Sequence, residues 1–122
     1  MAPKKIRQYL NDLEILSAEI RQSSEFSMDG DVTDRQELMK RFELNRNLVN
    51  LLHYVTIHMM RAHAPDYDVE SERWILGSID QTTTQIDAAA IKHTSPALER
   101  LIGRTMNLVD NILADLRDAV AA

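Results

Sequence analysis

A stretch near the middle of the chain carries apolar side chains on two sides of one predicted helix. Residues 34–64 contain no glycine or proline, and a capping pattern at Thr33 predicts a second helix that ends near His63. At about 100° per residue, its apolar residues form two separate stripes. The first stripe is Leu48, Leu52, Val55, Met59 and Ala62, and the second is Met39, Phe42, Val49, Ile57 and Met60. A surface helix needs only one stripe, so this helix must be central or must bury its second stripe against another molecule.

Three further helices are predicted around this one. A spacing of three and four between apolar residues from Ile6 to Ile20 indicates a first helix over residues 3–21. A third helix is expected over residues 68–92. Ser95 as N-cap and Pro96 as first helical residue begin a fourth, which extends to about Val120. The segment 22–32 is the longest predicted loop, and Phe26 is expected to pack back onto the helices.

The length and connections of the chain define its fold class. Its 122 residues suit one domain over 1–122, and the second and third connections are short, which makes successive helices antiparallel. We therefore predict an all-α, single-domain bundle of four helices in an up-down arrangement, with a long central second helix.

Composition excludes several classes of function. The absence of cysteine rules out disulfides, thiolate catalysis and thiolate zinc sites, and is compatible with the cytoplasm. A net charge of −5 disfavours general binding to nucleic acid, whose phosphates need Lys and Arg. No apolar run reaches the roughly 20 residues that span a bilayer. We expect a cytoplasmic protein that binds neither nucleic acid nor membrane.

No metal or cofactor is expected from the spacing of candidate ligands. His53, His58 and His63 are five residues apart, so successive side chains diverge by about 140° on a helix and cannot share one ion. A calcium loop that began at Asp29 would need Glu at its twelfth position, where this chain has Lys40.

Arg46 and His53 are the candidate catalytic residues. Seven residues apart, they differ by about 20° around a helix and share a face beside the second stripe. Arg46-Asn47, five residues and then His53 resembles the motif of HEPN-domain ribonucleases, small helical bundles that dimerise so that paired Arg and His converge on RNA. The resemblance covers eight residues. It implies that Arg46 would hold phosphate and that His53 would assist attack of the 2′-hydroxyl. The alternative is a half-buried Arg and a half-buried His that flank a dimer interface.

A second resemblance involves His58. The stretch 58–62, His-Met-Met-Arg-Ala, is similar to the phosphoacceptor stretch of histidine-phosphotransfer domains, which are also acidic four-helix bundles. Those domains have Lys and Gly where this chain has Arg61 and Ala62, and the missing Gly would hinder the approach of a partner's aspartate. The other interpretation places His58 among the solvent-facing residues of the helix.

Three further features have structural interpretations. Trp74 is assigned to the apolar side of the third helix, with Leu76, Ile79, Ile86 and Ala90, as a core or interface anchor. The polar run Thr82–Thr84 is expected to be exposed. A polar ligand channel beside it is the alternative interpretation. Gly103 is expected to allow close helix packing.

These observations favour a non-enzymatic function. We expect a small helical adaptor, chaperone or regulator that acts by homodimerisation and by contact with another protein. The alternatives are a HEPN-like ribonuclease or toxin that uses Arg46 and His53, and a histidine-phosphotransfer-like module. The interface candidates are the residues of the second stripe, Met39, Phe42, Val49, Ile57 and Met60.

Overall fold

The four predicted helices are present. The computed structural model describes residues 1–26, 35–62, 64–89, 91 and 94–121, with side chains up to residue 119. The helices are α1 (Pro3–Gln22), α2 (Arg35–Arg61), α3 (Val69–Asp87) and α4 (Pro96–Ala121), and a short 3-10 turn spans Ser24–Phe26. The described residues contain no strand. The predicted cap at Thr33 and the aspartates of the rejected calcium loop lie outside the described residues.

The helix ends follow local capping chemistry. The hydroxyl oxygen of Ser95 accepts a hydrogen bond from the Leu98 backbone N–H at 3.0 Å, which confirms the predicted cap of α4. The Asp68 carboxylate accepts from the Ser71 N–H at 2.7 Å and caps α3. The sequence prediction for the end of α3 was wrong, because the helix ends at Asp87 rather than at residue 92. Ala88 and Ala89 are exposed there, and their small side chains bury nothing that would hold another turn.

Pairs of residues from different helices show the up-down arrangement. Arg104, near the start of α4, lies against Glu19 near the end of α1, and Tyr9 in α1 bonds Asp115 late in α4, so these helices are antiparallel. The side-chain amide of Asn45 donates to the Ile20 carbonyl at 3.0 Å, which joins the end of α1 to the first half of α2.

The helix α2 is central. It contacts each of the other three helices, whereas α3 packs closely against α2 alone within the described part of the chain. With 27 residues it is about 40 Å long. The predicted all-α, single-domain bundle with a long central second helix is confirmed.

One apolar core joins the helices. Leu13 and Leu52, which the predicted seams place opposite each other, are both buried, as is Phe26 from the 3-10 turn. The buried apolar residues of this core are Leu13, Leu16, Ile20, Phe26, Leu44, Leu48, Leu51, Leu52, Val55, Met59, Ile75, Ile79, Ile86, Leu98, Leu101, Val109, Ile112 and Leu116. None of the helices in the described residues combines the length and apolar character needed to cross a membrane.

A buried polar cluster lies where α2 begins. Glu37 is only 2% exposed, and its carboxylate lies 3.8 Å from Nε of Arg41, one turn further along the helix. The Arg41 guanidinium also donates to the Glu25 backbone carbonyl at 2.6 Å. The Ser95 hydroxyl donates to the Glu25 carboxylate at 2.6 Å. These contacts tie the 3-10 turn to the start of α2 and of α4.

Candidate functional site: the outer face of the second helix

The structure gives the two predicted stripes of α2 different environments. Leu48, Leu52, Val55 and Met59 of the first stripe are buried at 2% exposure or less. The second stripe lies on the opposite side. We call this side the outer face of α2, and its residues are Met39, Phe42, Arg46, Val49, Asn50, His53, Ile57 and Met60.

The apolar residues of the outer face divide into two groups. Met39, Phe42 and Met60 are 60%, 53% and 66% exposed. Val49 and Ile57 are half-buried and pack against the core. Val49 borders the groove between α1 and α2, and Ile57 borders the groove between α2 and α3. The chain itself therefore covers the middle of the stripe in part and leaves both ends in solvent.

Arg46 and His53 lie in the middle of the outer face, and both are exposed, so the expectation that they are half-buried within one chain was wrong. Their seven-residue separation places them about 10 Å apart along the helix. Arg46 lines grooves shared with α3, whereas His53 lines the groove shared with α1. Neither has a hydrogen bond or an ion pair within the described residues, and the His53 ring is 6.3 Å from the ring of Tyr54. One chain thus brings them to a common face but not into one pocket, and no described neighbour orients the imidazole.

Trp74 extends the exposed apolar surface from α2 onto α3. It is 62% exposed, so the core interpretation of this residue was wrong. Its ring meets the ring of Tyr54 edge-on, with centroids 6.1 Å apart and planes at 88°. A pocket of about 400 Å³ lies beside it, lined by Ile57, Arg61, Glu70, Ser71, Trp74 and Ile75. The spacing of apolar residues in the sequence placed Trp74 on the buried side of α3. In the structure that side is formed by Ile75, Ile79, Thr82 and Ile86.

A polar groove continues between α2 and α3 towards the other end of the outer face. It is lined by Arg46, Asn47, Asn50, Tyr54, Ser78, Gln81, Thr82 and Gln85. Thr82 is 7% exposed, so the expected exposure of the threonine run is wrong at this residue, although Thr84 is exposed. The Thr82 hydroxyl donates to the Ser78 carbonyl at 2.7 Å. Its hydrogen is thereby used within α3, as is that of Ser78, which donates to the Trp74 carbonyl. The side chains in the groove lining that retain donors are the amides, Arg46 and the Tyr54 hydroxyl.

His58 is placed differently from its sequence prediction. It is 6% exposed rather than solvent-facing, and its Nδ1 lies 2.9 Å from the Tyr67 hydroxyl oxygen. Burial lowers the pKa of His58, and the negative charge of Glu72 opposes this shift. A phosphoacceptor must present its ring to a partner protein, so this burial argues against the phosphotransfer hypothesis.

Metal-ligating side chains do not converge in the described part of the chain. No group of three or more His, Asp or Glu side chains there could hold an ion. His53 is exposed and His58 is buried against Tyr67, while His63 and His93 lie outside the described residues.

Comparison with known proteins does not add residues to this site. The chain matches no protein-family model, no curated protein sequence and no solved structure to which we compared it.

Proposed function

We propose that this is a small non-enzymatic helical protein that acts by homodimerisation through the outer face of α2, and by contact with another protein as an adaptor, chaperone or regulator. The observation that carries the proposal is the exposure of Met39, Phe42 and Met60 on one side of the central helix, each more than half exposed. Single exposed apolar residues are common on protein surfaces, but several that follow one side of a helix, with the half-buried Val49 and Ile57 between them, are typical of an interaction site. Trp74 enlarges this surface, and Trp, Phe and Met are enriched in interfaces.

The electrostatics of the chain support association rather than RNA cleavage. The net charge is −5, and a nuclease needs cations around its site to hold phosphates. Arg46 and His53 have no hydrogen-bonded orienting group within the described residues, whereas a general base is usually held in place by a neighbour. Between the two apolar ends of the outer face, an Arg and a His can supply the polar contacts of an interface, in which Arg is enriched. The proposal includes a cytoplasmic location, with which the lack of cysteine is compatible.

The second candidate function is a HEPN-like ribonuclease. One observation favours it: Arg46 and His53 are both exposed on the same face of α2. In that case a second protomer would have to bring the two side chains into one site, because a single chain keeps them in different grooves.

The experiment that tests the proposal combines mass measurement with an assay of RNA cleavage. Light scattering of the wild-type chain should give a dimer at micromolar concentrations, and Met60→Asp should give a monomer because it places a charge in the apolar contact. Ile15→Asp is the matched control, since Ile15 is 49% exposed but lies on α1. A monomeric wild type would contradict the proposal.

Cleavage is measured on the same preparations, with His53→Ala checked for folding by circular dichroism. The proposal expects no cleavage by either protein. Cleavage by the wild type that disappears in a folded His53→Ala variant would establish the ribonuclease instead.

A further inference from the structure

The outer face of α2 is nearly symmetric about its midpoint. Its residues in order are Met39, Phe42, Arg46, Val49, Asn50, His53, Ile57 and Met60, with successive gaps of 3, 4, 3, 1, 3, 4 and 3. The residue types also correspond in the outer three positions, with two large apolar residues at each end and one nitrogen-rich side chain inside each pair. The central pair differs, because Val49 is apolar and Asn50 is polar. The centre of this pattern falls between Val49 and Asn50.

The symmetric spacing follows from helical geometry, whereas matching residue types about the midpoint are what a two-fold symmetric contact favours. In an isologous interface the same surface is used by both subunits, so that residue i meets j and j meets i. If two α2 helices face each other in opposite directions with the axis between Val49 and Asn50, each apolar end meets the opposite apolar end. In a parallel pair of helices each residue would face its own copy, so the match between the two ends of the face would have no role.

We propose that the outer face binds a second copy of this chain in this antiparallel register, and that Met39 of each protomer enters the pocket beside the partner's Ile57 and Trp74. This inference rests on the homodimer of the proposed function and specifies its geometry. Eighteen residues, five helical turns, separate Met39 from Ile57 and Phe42 from Met60, so each pair shares one side of the helix.

A two-fold axis between the helices places each side of one helix against the same side of the other. Met39 therefore lies beside the partner's Ile57, and Phe42 beside the partner's Met60, each offset by about 4.5 Å along the helix. Within each pair the two side chains lie at different heights along the helices, so they can pack beside each other without overlap.

The pocket beside Ile57 suits an unbranched apolar side chain. It has a volume of about 400 Å³ between α2 and α3, and Trp74 forms one wall. The edge-on contact with Tyr54 holds the Trp74 ring in place before binding. Met adapts to irregular apolar gaps and makes favourable contacts between sulfur and aromatic rings.

The area of the contact shows why this pocket is needed. From Met39 to Met60 the face is about 31 Å long, and a helix is about 10–12 Å wide, which gives a footprint of about 350 Å² per protomer. Stable interfaces bury about 1,200–2,000 Å² in total, or at least about 600 Å² per partner. α2 alone falls short, so side chains of α3 must take part, and Trp74 is the exposed aromatic residue beside the face. Arg46 lies opposite the partner's His53, within whose reach the guanidinium can donate a hydrogen bond to a ring nitrogen.

The first test uses Trp74 as a probe, since it is the only tryptophan in the chain. Its fluorescence emission should move to shorter wavelength as the concentration of wild-type protein rises, because the partner's Met39 excludes water from the ring. Met39→Asp should raise the dimer dissociation constant at least about tenfold and abolish the shift. Ile15→Asp, on an exposed apolar residue of α1, should keep the shift.

The second test uses single-cysteine variants, which is straightforward because the chain has no cysteine. At a helix separation of about 9 Å, the two Asn50 Cα atoms of the dimer lie about 6 Å apart, within the range of a disulfide. Asn50→Cys should therefore form a disulfide-linked dimer under mild oxidation. Met60→Cys is the matched control, because the two copies of residue 60 lie about 31 Å apart in this register.

The outcomes separate this inference from the proposed function. Cross-linking of Asn50→Cys without Met60→Cys, together with a Trp74 shift that Met39→Asp removes, supports the register. Cross-linking of Met60→Cys establishes a parallel dimer. This result overturns the antiparallel register but leaves the homodimer of the proposed function standing. A non-covalent dimer in which Asn50→Cys and Val49→Cys both fail to cross-link overturns it as well. A monomeric wild type overturns both the register and the homodimer.

Discussion

The Nδ1 atom of His58 lies 2.9 Å from the hydroxyl oxygen of Tyr67 and joins the end of α2 to the segment that leads into α3. The ring centroids are 5.9 Å apart. This segment folds back over His58 and removes it from solvent. Burial also raises the pKa of Tyr67 above its usual value.

The first prediction is a loss of stability in mild acid that depends on His58. Burial lowers its pKa below the ordinary value of 6.5, so the unfolded chain binds the proton more tightly than the folded protein. The stability that the neutral ring contributes is present above about pH 6.5 and is lost as the pH falls through the lower pKa of the folded state. Urea unfolding at about pH 7.5 and about pH 5.5 should show a larger decrease for the wild type than for His58→Gln, which cannot gain the charge. Equal decreases would mean that His58 does not titrate differently on folding.

The second prediction concerns the seam between α1 and α2. Leu13 and Leu52 are 3% and 2% exposed and line the same groove. Replacing either by Ala should lower the free energy of unfolding by about 2–5 kcal/mol, because transfer energy is lost and a cavity remains. Ile15→Ala, on an exposed side chain, should change it by less than about 0.5 kcal/mol. Losses below about 1 kcal/mol at both leucines would show that the seam is assigned incorrectly.

The third prediction compares a buried ion pair with an exposed one. Glu37→Ala removes a carboxylate that is 2% exposed, together with its ion pair to the part-buried Arg41, and should cost about 3–5 kcal/mol of unfolding free energy. Glu19→Ala removes the exposed bidentate partner of Arg104 and should cost less than about 1 kcal/mol. Chemical denaturation of both variants provides the comparison, and similar costs would contradict the difference in burial.

The fourth prediction corrects the role expected for Gly103. A Cβ atom placed on Gly103 would meet nothing within 4 Å, so close packing is not the reason for glycine at this position. Gly103→Ala should raise the free energy of unfolding by about 0.5–1 kcal/mol, because Gly is a poor residue for a helix interior. Gly77→Ala, in a similarly open position on α3, should behave alike. Lower thermal stability in Gly103→Ala would indicate a contact at this position after all.

The candidate site was predictable in part. The spacing of Met39, Phe42 and Met60 in the sequence placed them on one side of α2, and all three are exposed there. The spacing could not show that Val49 and Ile57 are half-covered, because this depends on where α1 and α3 lie around α2. It also could not show that Trp74, on another helix, lies beside Ile57.

The sequence by itself determined the number of helices, most of their ends and the two stripes of α2. These properties arise from turns, caps and a 3.6-residue period, which involve neighbours in the chain. Only the tertiary structure decided which sides of α3 and α2 are buried. Ile75 rather than Trp74 faces the core, and His58 is covered by Tyr67. Both outcomes depend on the direction from which α3 and its connection approach α2, and that direction follows from packing between residues distant in sequence.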